Sequence, residues 1–232
     1  MRKEFIVLGL IVLIVGVAAY FGSSYYRTSV QKESVVSNGN NNSGGKPKAS
    51  IETLIRPDSP TLGPADAKVT VVEFLDPECE ACAGFSPVVK KILSENEGKM
   101  RLVVRYMPFH PSSMKAAHLL EAAGEEGKFW QALELIFRKQ SEWGEVHGAP
   151  PGAAKPDVDK VFEGFAKELG MNVEKYIAAA RENKYTAKVE RDRKDGQTLG
   201  VRKTPTFFVN GRELARFSEA DLRALIAEEM AK

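Results

Sequence analysis

The chain has 232 residues and a formal charge of +2, with only two cysteines. That length allows one packed domain of roughly 150 to 200 residues plus appendages. The near-balanced charge gives no ground for a nucleic-acid partner, and two cysteines exclude a disulfide-dense scaffold.

Residues 1–26 read as a membrane segment. Arg2 and Lys3 precede an apolar run from Phe5 to Phe21. The run is at the lower limit for spanning a bilayer and longer than the usual apolar core of a signal peptide. Its length and the bulky Tyr20 and Phe21 favour an uncleaved signal anchor. The alternative is a cleaved signal peptide and a soluble periplasmic protein, with cleavage near Val17-Ala18-Ala19. No cysteine follows the run, which excludes a lipoprotein. Arg27 and Lys32 balance Arg2 and Lys3, so the free amino terminus breaks the tie in orientation. The remainder is placed outside the cytoplasm, in a single-pass protein of a bacterial inner membrane.

Residues 27–60 read as a flexible linker. Ser37 to Gly45 is polar, glycine-rich and without periodicity, and cannot bury enough apolar surface to offset its ordering entropy.

The folded domain is expected over 61–232. Lys68 to Leu75 is rich in β-branched and aromatic residues and apolar on both faces, which predicts a central, doubly covered strand. Asp76-Pro77 ends it. A helix from about Cys79 to Ser94 follows, with Pro87 inside it, and Met100 to Met107 predicts a second strand. Strand, helix, strand is a βαβ unit. From Ser113 to about Gln197 the pattern is helical. Gly124 is a candidate stop for the first helix, and Glu145 to Pro156 reads as a loop. The charged run Lys188 to Asp195 reads as a solvated helix face. Strand character returns at Thr206 to Val209. Asn210-Gly211 is the strongest short hairpin signal, and Arg212 to Ala215 would be the return strand. Ser218 with Asp221 three residues on is an acidic variant of a capping box for the last helix. The predicted fold class is α/β: a thioredoxin fold with core 61–110 and 198–232 and an inserted helical domain at 111–197. It is preceded by an N-terminal transmembrane helix and a flexible linker.

Cys79 and Cys82 carry the chemistry. Three positions make just under one helical turn, a spacing at which two sulfurs reach disulfide geometry. Cys79 falls where unpaired backbone N–H groups and the helix dipole stabilise a thiolate. Cys82, one turn deeper, is expected to be buried and less acidic. The pair therefore reads as a redox-active disulfide, with Cys79 attacking and Cys82 resolving a mixed disulfide. Glu80 between the cysteines, and Glu78 beside them, should oppose a thiolate and give a milder oxidant, although glutamate there also suits a helix N-terminus. Glu73, inside the central strand, should have a raised pKa and exchange a proton with Cys82. The competing reading has Glu73 solvated at an edge or a cavity. His110, His118, Trp130 and Trp143 are read as packing or surface residues. The cysteines alone do not make a structural zinc site, which takes four ligands. His110, His118 and His147 have no metal-ligand spacing with them, so neither metal nor cofactor is expected.

These features together resemble the DsbA-like branch of the thioredoxin superfamily. The resemblance rests on Val71-Val72-Glu73-Phe74 before the cysteines and Ala123 to Trp130 in the helical block. It rests also on Leu199-Gly200-Val201 and on Thr204 to Gly211, and covers about residues 62–232. It implies a cis Pro205 packed against the cysteine pair. It implies substrate binding in extended form along the backbone at Thr204, and a buried acidic role for Glu73. Glu80-Ala81 stands where the best-known oxidase of the family has a histidine, and Lys203 where relatives often have glycine. The expected function is extracytoplasmic thiol–disulfide exchange with cysteine-containing client proteins. A membrane redox partner would turn the pair over, and the N-terminal helix would contact the lipid bilayer. The alternatives are a dedicated reductant in cytochrome or metal-site maturation, and, outside enzymes, a metal-delivery or binding module using the two cysteines.

Overall fold

The computed structural model describes residues 48–145 and 156–232. The expected membrane segment 1–26, most of the expected linker and the centre of the Glu145–Pro156 loop lie outside them. No helix among the described residues is long and apolar enough to cross a membrane.

The architecture is a mixed α/β thioredoxin-like fold built on a five-stranded sheet in the order β1-β3-β2-β4-β5. Strand β2 (Val69–Leu75) is central, and all seven of its residues are buried. Helix α2 (Glu80–Glu95) carries the chain to β3 (Met100–Tyr106), which runs parallel to β2 with Val69 opposite Met100 and Leu75 opposite Tyr106. Strand β4 (Thr206–Val209) lies antiparallel on the other side of β2, with Thr206 opposite Phe74 and Val71 opposite Val209. The short β5 (Arg212–Glu213) closes the hairpin. The turn residues Asn210 and Gly211 have φ of 45° and 86°, the two positive angles that a tight hairpin turn requires. A Cβ at Gly211 would stand 2.8 Å from the Ala49 carbonyl oxygen, so space excludes a side chain there as well.

Alternation along β2 sets the two cores. Val69 and Val71 pack with Val89 and Ile92 of α2 and with Leu222, Leu225 and Ile226 of the last helix (Glu219–Met230). That helix begins as expected: the Asp221 amide donates to Ser218 Oγ at 3.1 Å. Val72 and Phe74 face the other way, against Leu54, Val103, Met107, Val201 and Phe208.

Among the described residues five α-helices lie between β3 and β4: α3 (Ser113–Glu125), α4 (Phe129–Arg138), α5 (Val158–Glu168), α6 (Val173–Arg181) and α7 (Thr186–Thr198). Helix α3 passes through Gly124, contrary to expectation. The turn comes three residues later, at Gly127 with φ 70°. Trp143 is buried edge-on against Phe162, its indole N–H donating to the Ile136 carbonyl at 3.0 Å. Helix α7 presses so closely on the sheet that a Cβ at Gly196 would lie 2.9 Å from Met107 Sδ and 3.1 Å from the Phe74 ring.

Two expectations are corrected. The stretch 48–60 is packed rather than a free linker. It forms α1 (Ile51–Leu54), whose Leu54 is fully buried. Ala49 donates its amide to the Gly211 carbonyl at 2.8 Å, and Val104 donates to Pro60 at 2.9 Å. Strand β1 (Thr61–Leu62) then pairs antiparallel with β3. The run Lys188 to Asp195 is not wholly a solvated face either, since Asp192 and Asp195 are buried. The cause of both is Arg105, fully buried in β3. Its guanidinium is 2.9 Å from Asp192 Oδ1 and 2.5 Å from Asp195 Oδ2, and it stacks over Phe74. It also donates to the Thr53 and Leu54 carbonyls at 2.8 and 2.7 Å. A buried guanidinium needs acceptors, and the carboxylates of α7 and the carbonyls of α1 supply them to its two terminal nitrogens, while Nε has no partner among the described residues. Arg56 completes the cluster by donating twice to Asp195, at 2.9 and 2.8 Å.

Candidate active site

Strand β2 delivers the chain to Asp76, and a tight turn follows: the Cys79 amide donates to the Asp76 carbonyl at 3.0 Å. Cys79 is the N-cap of α2, with extended backbone angles and its carbonyl accepting from Ala83 at 3.1 Å. Its sulfur is therefore set among the unpaired amides of the first turn. Cys82, one turn on, is fully buried. Both are thiols.

The two sulfurs are made unequal by their surroundings. The Cys79 thiol is lowered to about 5, chiefly by a hydrogen bond from Cys82. Burial opposes this, while Thr204 and the amides of Cys82 and Ala81 reinforce it. Cys82 is pushed well above the ordinary thiol range. Burial is the main cause, followed by its bond to Cys79 and the charges of Glu73 and Cys79. From the far end of the fold, the Thr204 carbonyl oxygen comes within 3.5 Å of Cys79 Sγ. The Thr204–Pro205 peptide bond is cis.

Glu73 lies on the β2 face that α2 covers and is 5% exposed. Burial, and next the charge of Cys79, raise its carboxyl from 4.5 to about 8. It also lines a cavity of about 360 Å³ with Val89, Lys90, Trp130 and Glu134. The two sequence readings of Glu73 thus meet, in a carboxyl that is buried and borders a cavity. Glu80 is exposed in the first turn of α2 and is not among the leading influences on either sulfur. Glu78 is buried, and its carboxylate is used structurally. It accepts from the Ser112 amide at 2.6 Å and the Glu145 amide at 2.9 Å, tying the insertion to the turn before α2.

Two residues beside the cysteines have a larger part than their sequence context suggests. Asp76 does more than end its strand. Its buried carboxylate accepts from the amides of Glu78, Phe109 and His110, at 2.9, 2.7 and 3.1 Å, and from the Ser113 hydroxyl. His110, expected in packing or at the surface, holds Nδ1 2.6 Å from Asp76 Oδ2. The signal in the sequence is topological. In a parallel pair of strands, the segments that follow the two carboxyl ends are neighbours, so the residues after β3 border those after β2. His118 is elsewhere, its Nε2 3.0 Å from Thr186 Oγ1. Among the described residues no group of three or more His, Cys, Asp or Glu side chains is placed to hold a metal ion.

The sequence matches the thioredoxin family over residues 56–228. The chain belongs to that family. Among solved structures, oxidised BdbD from Bacillus subtilis superposes with a TM-score of 0.67 at 26% identity, covering 82% of this chain and all of that one. The thiol-disulfide exchange protein α-DsbA2 from Wolbachia pipientis shares the fold at 20% identity, with a TM-score of 0.59 over 76% of this chain and 90% of its own. A curated relative, the Na(+)/H(+) antiporter NhaA of Herminiimonas arsenicoxydans, is 36% identical over 66% of this chain. The match covers 22% of that relative, so this thioredoxin-family chain spans about a fifth of its length. At 20% identity the α-DsbA2 match shows a shared fold.

Proposed function

We propose that the protein is an extracytoplasmic thiol–disulfide oxidoreductase that forms or exchanges disulfides in cysteine-containing clients through Cys79 and Cys82. The observation that carries this is the inequality of the two thiols. An acidic sulfur at a helix N-terminus, 8% exposed, lies beside a fully buried sulfur that holds its proton. Such a pair has one sulfur suited to attack or be attacked and one suited to close the ring.

In the oxidising direction, a client thiolate attacks Cys79 Sγ. The Cys79–Cys82 bond breaks, and the departing Cys82 sulfur takes a proton, for which Glu73, buried and acting on Cys82 through its charge, is a source. A second client thiolate then attacks the client sulfur of the mixed disulfide, forming the client disulfide and releasing Cys79 as a thiolate. Two electrons pass from client to pair. The Thr204 carbonyl beside Cys79 offers an acceptor for an extended client backbone, as an added strand.

A thiolate that is easily formed stabilises the dithiol and makes the disulfide an oxidant. A Cys79 pKa of about 5 stands between the values of about 3.5 and about 7 found in oxidising and reducing members of this fold. It lies below the reducing member's value, which is compatible with the oxidising direction. The apolar run 5–21 supports a membrane attachment, with a membrane redox partner restoring the pair. Equilibrating the protein with glutathione buffers tests the reading. A Cys79–Cys82 potential near the oxidising end is expected, and one near that of thioredoxin would overturn the oxidase direction.

A further inference from the structure

The carboxyl ends of β2 and β3 are side by side, and the first residue beyond β2 binds the loop beyond β3. Both oxygens of the Asp76 carboxylate serve this junction. Oδ1 accepts from the Glu78 amide and the Ser113 hydroxyl, and Oδ2 from the Phe109 and His110 amides. The His110 imidazole is added to Oδ2 through Nδ1, with its side chain about one-quarter exposed at 28%. This is the geometry in which a carboxylate fixes one ring nitrogen and stabilises an imidazolium.

Asp76, which holds His110 through its carboxylate, also accepts the Cys79 amide at its carbonyl, at 3.0 Å, and Glu78 beside it accepts the Ser112 amide, two residues past the imidazole. Cys79 caps α2, so His110, Asp76, Glu78 and Cys79 border one turn. Asp76 and Glu78 take no part in the disulfide bond. Cys79 does: it is an anion in the dithiol form and uncharged in the disulfide.

Resting on the reading that the pair is redox-active, we propose that His110, held by Asp76, is a positioning residue whose protonation is coupled to the oxidation state of Cys79. Reduction of the disulfide by a client dithiol then moves two electrons onto the pair. One whole proton goes to Cys82 and a further fraction to His110, while Cys79 remains a thiolate. Oxidation returns them.

The electrostatic balance agrees. Burial disfavours the imidazolium, but Asp76, Cys79 and Glu78 outweigh it, and the net displacement of His110 is upward. His110 is not among the leading influences on Cys79, so its effect should be modest.

The test is a titration of the histidines by NMR on the full chain in detergent, in the dithiol and the disulfide forms. The chain has three histidines. His118, displaced downward by burial alone, is an internal reference. His110 should bind its proton about threefold more tightly in the dithiol form, the size expected of a partly screened charge, with His118 unmoved. Equal midpoints for His110 in the two forms would overturn the proposal. H110Q provides the assignment and a second readout. Alkylation of Cys79 at about pH 4.5 should be roughly threefold slower in H110Q and converge with the parent at alkaline pH. A uniform loss of reactivity at every pH would mean a merely structural role and would also overturn it. Glutathione exchange separates the two layers. A pair that exchanges while His110 stays unmoved sinks this inference alone, and a pair that does not exchange sinks both it and the function on which it rests.

Discussion

Cys79 Sγ lies 3.5 Å from the carbonyl oxygen of Thr204, a residue 125 positions further along the chain. Antiparallel pairing of β4 with β2 is what closes that distance, because it brings Thr206 opposite Phe74, just short of the cysteines. Thr204 therefore meets the Cys79 sulfur at its backbone, and its side chain adds to the lowering of that thiol.

The side-chain part can be separated from the backbone part. Thr204→Val keeps the shape and removes the hydroxyl. The Cys79 titration, followed by ultraviolet thiolate absorbance, should rise from about 5 by about one unit, the value of a hydrogen bond to a charged group. An unchanged midpoint would show that the hydroxyl does not reach the thiolate.

Division of labour between the sulfurs predicts opposite outcomes for the two serine variants. Cys82→Ser leaves Cys79 to attack with nothing to resolve it, so mixed disulfides with clients should accumulate in cells and appear on non-reducing gels. Cys79→Ser should yield none, because Cys82 is buried and holds its proton. Adducts in the second variant and not the first would reverse the assignment.

Glu73 makes stability depend on pH in a stated direction. Its folded pKa of about 8 lies above its ordinary 4.5, so the folded state binds the proton more tightly than the unfolded one. Stability is then full below pH 4.5 and is lost as pH rises through about 8. In the disulfide form, where Cys79 carries no charge, burial still supplies the larger part of the shift. The unfolding free energy of that form, from denaturant titration, should fall across this window by up to about a few kcal/mol, on the order of the shift converted to free energy. Glu73→Gln should be nearly flat over the same range. Parallel curves for the two proteins would mean that the carboxyl is solvated by the cavity it borders.

Arg105 holds α1, β3 and α7 together, and its removal strands buried carboxylate charge. Arg105→Ala should cost about 3–5 kcal/mol, the usual consequence of breaking one side of a buried ion pair. It should also loosen the segment around Arg56, and trypsin should cut there faster than in the parent. Unchanged melting together with unchanged cleavage would mean that Arg105 does not hold these elements together.

What the sequence makes legible follows from the range of each interaction. Val69 to Leu75 is apolar on both faces because it is covered on both faces, and that is visible residue by residue. Cys79 at a helix start, Asn210-Gly211 at a turn and Ser218 as a cap are local rules that need no partner from elsewhere. Asp192 and Asp195 look solvated because nothing local distinguishes a carboxylate paired with a buried arginine about 90 positions away from one in water. Residues 48–60 look like a linker for the same reason: Ile51, Leu54 and Ile55 are too few apolar residues to announce a packed element, and the acceptors that Arg105 needs there are backbone carbonyls, which every sequence has. Asp76 and His110 are brought together only by the register of β2 against β3.

The hydrogen bond from Ala49 to the tip of the β4–β5 hairpin fixes where the upstream chain takes hold of the domain. That tip lies at the start of β2, where the Asn210 amide donates to the Thr70 carbonyl at 2.9 Å, whereas the thiols lie beyond the strand's other end. A seven-residue strand separates the two by roughly 20 Å. The segment leading into α1 is thus held at the amino-terminal end of β2, and the two thiols stand at the opposite pole of that strand.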